Sequence, residues 1–171
     1  TPKPGEAITF NSKTGYTTGS IFQCKEDFET GNSFIPFDDT RTDDTTVVRV
    51  NTSDKVFEGA GTGYISLDTI HSISENICNT GFPITQGNAY FEINYKCNTS
   101  FQIGLQTLVN GAIDYEYFAG IKAKEGWNKL YIDLSEYTSI KKGTSYRLII
   151  KAGLDDGLST GYVLLDNLKV I

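Results

Sequence analysis

The strongest constraint in this sequence is a two-residue alternation of apolar and polar side chains that returns along most of the chain. From Ala89 to Cys97, the residues Phe91, Ile93, Tyr95 and Cys97 fall on one side of an extended backbone, and Glu92, Asn94 and Lys96 fall on the other. Phe101, Ile103, Leu105 and Thr107 repeat the pattern after Asn98-Thr99-Ser100. Leu130, Ile132 and Leu134 alternate with Tyr131 and Asp133, and Tyr146, Leu148 and Ile150 alternate with Arg147 and Lys151. Strands with one apolar face bury it by stacking sheet on sheet. No segment of twelve or more residues keeps helical apolar spacing free of Gly and β-branched residues. The 17 Gly, 10 Tyr and 10 Phe among 171 residues lean the same way, toward short strands and turns.

Turn chemistry separates these runs. Gly31-Asn32, Gly59-Ala60-Gly61-Thr62-Gly63, Gly81-Phe82-Pro83 and Gly153-Leu154-Asp155-Asp156-Gly157 read as loops, and Asn110-Gly111 predicts a type I′ hairpin. The stretch 161–171 is more apolar than the others and is expected in the middle of a sheet. Neither a composition break nor an internal repeat divides the chain. Residues 13–171 are expected to form one domain, and residues 1–12, opening Thr1-Pro2-Lys3-Pro4-Gly5, a tether. The expected fold is all-β: a two-sheet antiparallel β-sandwich. Immunoglobulin-type sandwiches run to about 100 residues, so this length favours jelly-roll topology.

Charge and motifs exclude several classes of function. A net charge of −6 argues against a nucleic-acid partner, whose phosphate backbone needs a concentrated basic face. No apolar run approaches the ~20 residues of a membrane-spanning helix, so a membrane is expected only through an N-terminal lipid anchor absent from this chain. The missing Met and the Pro-rich start read as the trimmed end of an exported protein, although a fragment of a longer chain would look the same. Cys24, Cys78 and Cys97 make a poor disulfide framework; buried thiols are the preferred reading, with a Cys78–Cys97 bridge left open. The single His71 has no Cys near it in sequence, and Gly-x-Ser-x-Gly and His-Glu-x-x-His are absent.

Five stretches carry a resemblance: Asp27-Phe28-Glu29-Thr30-Gly31, the segment 90–98, Phe101-Gln102-Ile103-Gly104-Leu105, the segment 127–134, and the closing segment 162–170. In this order they resemble galactose-binding-like and carbohydrate-binding-module jelly rolls. More narrowly, the chain resembles surface lipoproteins of Bacteroides-type gut bacteria. The resemblance implies a noncatalytic glycan-recognition domain outside the cell or at its surface, with a polysaccharide or oligosaccharide as partner. A structural or protein-interaction scaffold on the same fold, meeting neighbouring surface proteins, is the alternative. A small glycosidase or lyase is the third reading, weakened because the Glu-x-Asp-x-x-Glu strand of jelly-roll glycosidases is missing.

Asp166 is in phase with Tyr162, Leu164, Leu168 and Val170, so its carboxylate is expected among apolar neighbours and in need of a partner. In related jelly rolls an early acid and a late Asp hold a structural calcium ion, which would assign Glu29 and Asp166 as ligands here; hydrogen bonds without a metal are the alternative. For sugar contact the best candidates are Tyr115 and Tyr117, with Asp114 and Glu116 on the opposite side of the same strand. One sequence leaves open whether this tyrosine face is core or solvent. Tyr64 and Tyr137 are weaker candidates; Trp127 could offer a sugar platform, but the resemblance implies that it plugs the sandwich edge and packs into the core, which is the preferred reading.

Overall fold

The computed structural model describes residues 24–38, 40, 45–84 and 89–171; the expected tether, 1–12, lies outside the described residues. The strands are β1 (Cys24–Glu26), β2 (Phe34–Pro36), β3 (Val48–Val50), β4 (Thr62–Asp68), β5 (Ile73–Cys78), β6 (Tyr90–Cys97), β7 (Phe101–Val109), β8 (Ala112–Ile121), β9 (Lys124–Asp133), β10 (Ser145–Gly153) and β11 (Thr160–Val170). One sheet has the order β3-β4-β11-β6-β9, with β1 also paired to β11, and the second has the order β2-β5-β10-β7-β8. Every pairing is antiparallel. The expected all-β two-sheet sandwich is what forms.

The alternation decides which side chains lie between the sheets. Phe91, Ile93, Tyr95 and Cys97 from β6, Phe101, Ile103 and Leu105 from β7, and Tyr146, Leu148 and Ile150 from β10 are all buried in one apolar core. Strand β11 is central, as its apolar composition predicts, and contributes Val163, Leu165, Leu168 and Val170. The hairpin between β7 and β8 turns on Asn110 and Gly111, with φ of 50° and 82°, the paired left-handed conformations that a type I′ turn needs. Cys78 and Cys97 are buried as thiols, one in each sheet.

Three local features differ from the sequence expectation. A short helix, α1 (Ser135–Lys141), follows β9 where none is predicted; seven residues are too few for a helical period to show. In β11 the pairing with β6 shifts between Asp166 and Lys169, and Asn167 sits at φ 50°. This bulge reverses the phase, so Leu168 and Val170 face the core while Asp166 and Leu164 lie on the outer side of the sheet. Asp166 is therefore buried, but not between the sheets. Trp127 is not part of the core either. It lies in the irregular part of β9, next to Gly126 at φ 73°, and packs against the partly exposed Phe57 with ring centroids 5.1 Å apart.

Replacing the fully buried Leu165 by Ala should cost about 2–5 kcal/mol in urea unfolding. Ile70→Ala, at a turn position 76% exposed, should stay within about 0.5 kcal/mol of the parent.

Candidate functional site

The outer face of the second sheet gathers side chains far apart in sequence. A bulge in the β7–β8 pairing between Ile103 and Gly104 sets Tyr117 opposite Gly104 and Tyr115 opposite Gln106, so both tyrosines share that outer face. Gly104 is required where the two strands meet: a Cβ there would lie 2.5 Å from the Glu116 carbonyl oxygen and 2.9 Å from the Tyr117 ring. Register carries the same row onward, from Gly104 to Ile149 on β10, Ile77 on β5 and Ile35 on β2. A second row runs from Tyr115 through Gln106 to Arg147.

Two bridges cross this face. The Tyr117 hydroxyl donates to Glu75 on β5, passing over β7 and β10, and leaves Ile149 fully covered although it lies outside the main core. The Lys151 ammonium stands 3.4 Å from the Glu75 carboxylate and 5.6 Å from the centre of the Tyr117 ring. Burial, then the adjacent Glu75, pushes the Tyr117 hydroxyl well above the usual phenol range. The second bridge joins Tyr115, 53% exposed, edge-on to Phe37 with ring centroids 5.3 Å apart. Tyr115 comes from one edge strand and Phe37 from the end of the other. On a flat sheet those edges would stand about 19 Å apart, so their contact requires a curved, concave face.

The four predicted contact residues divide. Tyr115 and Tyr117 come together on the concave face. Asp114 and Glu116 lie on the other side of β8, where the Lys141 ammonium of α1 sits 2.8 Å and 3.1 Å from their carboxylates. Lys141 holds the Asp114 carboxyl below its usual range. The polar groups that accompany the tyrosines are instead Gln102, Gln106, Arg147, Lys151 and Glu75. Four of these stand in the polar phase of strands whose apolar phase was readable, so the alternation already placed them opposite the core. What it lacked was which strands neighbour one another. Tyr64, under Lys55 at 4.4 Å, belongs to the first sheet. Tyr137 is hydrogen-bonded to Thr107 at 3.0 Å and packs on Phe118. His71 is exposed beside Asp68.

At the outer side of the first sheet, the β1–β11 pairing brings Glu29 close enough to Asp166 for their charges to interact. Asp166 is 1% exposed and accepts hydrogen bonds from the backbone N–H of Asn167 (2.7 Å) and Glu58 (3.3 Å) and from the Thr62 hydroxyl (3.3 Å). Glu29 accepts the Ala60 N–H with both oxygens, at 2.9 and 3.1 Å. The Arg49 guanidinium ties the same loops together by donating to the carbonyls of Phe28, Glu29 and Ala60. Among the described residues no group of three or more His, Cys, Asp or Glu side chains is spaced for a metal ion. The oxygens that meet here are carboxylate, hydroxyl and carbonyl, the type calcium prefers, and the carbonyls among them already accept from Arg49.

Burial, with a smaller contribution from Glu29, raises the Asp166 carboxyl to about 6. An acid with a raised folded-state pKa binds its proton more tightly when folded, so its contribution is full below the unfolded pKa near 4 and is lost as pH rises to about 6. In chelator, stability should therefore fall between pH 4 and 6 by up to about 3 kcal/mol more in the parent than in Asp166→Asn, read from urea midpoints across pH.

No protein family and no curated sequence matches the chain. Solved structures do match it in fold. A family 61 carbohydrate-binding module in complex with β-1,4-galactotriose superposes with a TM-score of 0.58 at 15% identity, covering 89% of this chain and 99% of that one. The family 22 module and catalytic module of a Clostridium thermocellum xylanase, complexed with xylohexaose, give 0.59 at 13% identity over 89% of this chain and 28% of that one. The K2 cleaved adhesin domain of Lys-gingipain gives 0.59 at 12% identity over 86% and 98%. In fold, this chain is a β-sandwich of the kind found in carbohydrate-binding modules.

Proposed function

We propose that this domain is a noncatalytic glycan-recognition module whose ligand lies on the concave outer face of the second sheet. The observation that carries this reading is Tyr115, half exposed on a curved face and propped edge-on by Phe37. An aromatic ring held in this way offers a flat apolar surface to the C–H face of a sugar ring, and its support from Phe37 limits the rotamer freedom lost on binding. Around it, the amides of Gln102 and Gln106 and the charged ends of Arg147 and Lys151 supply hydrogen-bond partners for hydroxyl groups. The fold likeness to modules solved with galactotriose and xylohexaose supports the same class of ligand.

Cleavage by the acids of β8 is disfavoured. A glycosidase needs a carboxylic acid kept protonated near neutral pH, whereas Lys141 pulls the Asp114 carboxyl in the opposite direction. We place the domain outside the cell or at its surface, where polysaccharides are met. The interaction-scaffold reading draws on the likeness to an adhesin domain.

We also assign a structural calcium ion to the Glu29–Asp166 corner, where it would lock the β1–β2 and β3–β4 loops onto β11 without touching the ligand. Calcium is expected to raise the melting temperature by several degrees, and Asp166→Asn to abolish the rise. A melting temperature indifferent to both calcium and chelator leaves Arg49 as the cation that ties these loops and overturns the assignment.

Calorimetric titration with β-1,4-galactotriose and xylohexaose, backed by a glycan array, tests the function. Tyr115→Ala should weaken binding of the recognised glycan at least tenfold, about 1.4 kcal/mol, while leaving the melting temperature near the parent's. A parent protein silent across the array would overturn the glycan reading and favour a scaffold.

A further inference from the structure

The charges on the concave face are not all paired. Glu75 is matched by Lys151 at 3.4 Å and by the Tyr117 hydroxyl. Asp114 and Glu116 are turned away and held by Lys141. Asp38, past the end of β2, turns its carboxylate onto Thr40 at 2.6 and 2.9 Å. That leaves Arg147. Its Nε donates to the Cys78 carbonyl at 2.8 Å, and among the described residues no carboxylate lies within ion-pair distance of it. In a chain of net charge −6, this face therefore presents a positive group that no described side chain neutralises.

The position of Arg147 matters as much as its charge. It stands in the same row as Tyr115, with Gln106 between them, two strand spacings or about 10 Å away along the sheet. A sugar stacked on Tyr115 extends across Gln106 toward the guanidinium. Because Nε is anchored to the Cys78 carbonyl, the fork is partly preorganised, and its terminal N–H groups keep the planar, two-pronged geometry that suits carboxylate or sulfate oxygens. An unpaired guanidinium on a half-buried face also lacks any enthalpic gain from a neutral hydroxyl comparable to that from an anion.

Building on the glycan reading above, we infer that the ligand is an acidic glycan, its anionic group held by Arg147 while a neighbouring ring stacks on Tyr115. The anion is a uronate carboxylate or a sulfate ester, and the test separates these two sources.

Titrations of the whole chain would use two matched pairs: de-esterified oligogalacturonate against its methyl ester, and a sulfated galactan oligosaccharide against its desulfated form. At least one acidic member is expected to bind tenfold or more tightly than its neutral counterpart, with affinity falling as salt is raised. The pair that shows the preference identifies carboxylate or sulfate. Arg147→Gln should bring the acidic member down to the level of the neutral one, and Arg147→Lys should retain part of the preference; melting curves confirm that both variants are folded. Equal binding of charged and neutral members by the parent overturns this inference and leaves the glycan reading standing. If neither pair binds but a neutral glycan elsewhere does, the acidic assignment again falls alone; if no glycan binds, both fall.

Discussion

Strand β11 is the element on which the rest depends. It hydrogen-bonds to β4, β6 and β1, so the first sheet is organised around it, and Val163, Leu165, Leu168 and Val170 supply its share of the core. A strand so placed has neighbours along both edges, and its side chains must serve two opposite faces. The bulge at Asn167 is what reconciles these demands. It carries Asp166 to the outside of the sheet while keeping Leu168 and Val170 inside, and it does so beside β1, where Glu29 arrives. Without the change of phase, the alternation that buries Val163 and Leu165 and turns Asp166 outward would turn Leu168 and Val170 outward as well, and their apolar surface would be lost from the core.

The loops over this corner show how an acidic chain manages buried charge. Asp166 takes two backbone N–H groups and a hydroxyl, Glu29 takes a third backbone N–H, and Arg49 gathers three carbonyls from the same loops. Nearby, Glu26 accepts the N–H groups of Phe28 and Ser33 at 2.8 and 2.6 Å, fixing the turn that leads from β1 to β2. These contacts link the start of the described chain to its end. The same corner is thus ordered by hydrogen bonding to charge, while the opposite sheet is left to present its outer face.

On that outer face, curvature does the work. Twist and coiling bring Phe37 and Tyr115 together from the two edges, and the Tyr117–Glu75 contact spans the strands between them. The outcome is an aromatic surface with polar neighbours. Sorting of charge adds to this: Lys141 holds two carboxylates behind β8, and Arg147 is left on the outer face without an ion-pair partner among the described residues.

Much of this architecture was legible in the residues alone. Alternation in the segments 89–97, 101–107 and 146–150 named the buried set correctly, and Asn110-Gly111 marked its hairpin, because both signals are local: side-chain direction in a strand and positive φ in a turn depend on adjacent residues only. Tyr115 and Tyr117 stand out in the sequence together with Asp114 and Glu116, but the sequence could not say that β8 is an edge strand with α1 behind it. Phe37, Glu75, Arg147 and Lys151 went unrecognised as companions of Tyr115, and Trp127 was expected in the core. The phase of Asp166 relative to Leu168 was also misread, since a bulge is set by pairing with a partner strand. The amino-acid order by itself therefore determined the class of fold and, where the alternation runs unbroken, the strands and their buried faces. Which faces curve toward one another, and which charges are left unmatched on them, was decided only by tertiary structure, because strand adjacency and sheet coiling are properties of residues that meet across the whole length of the chain.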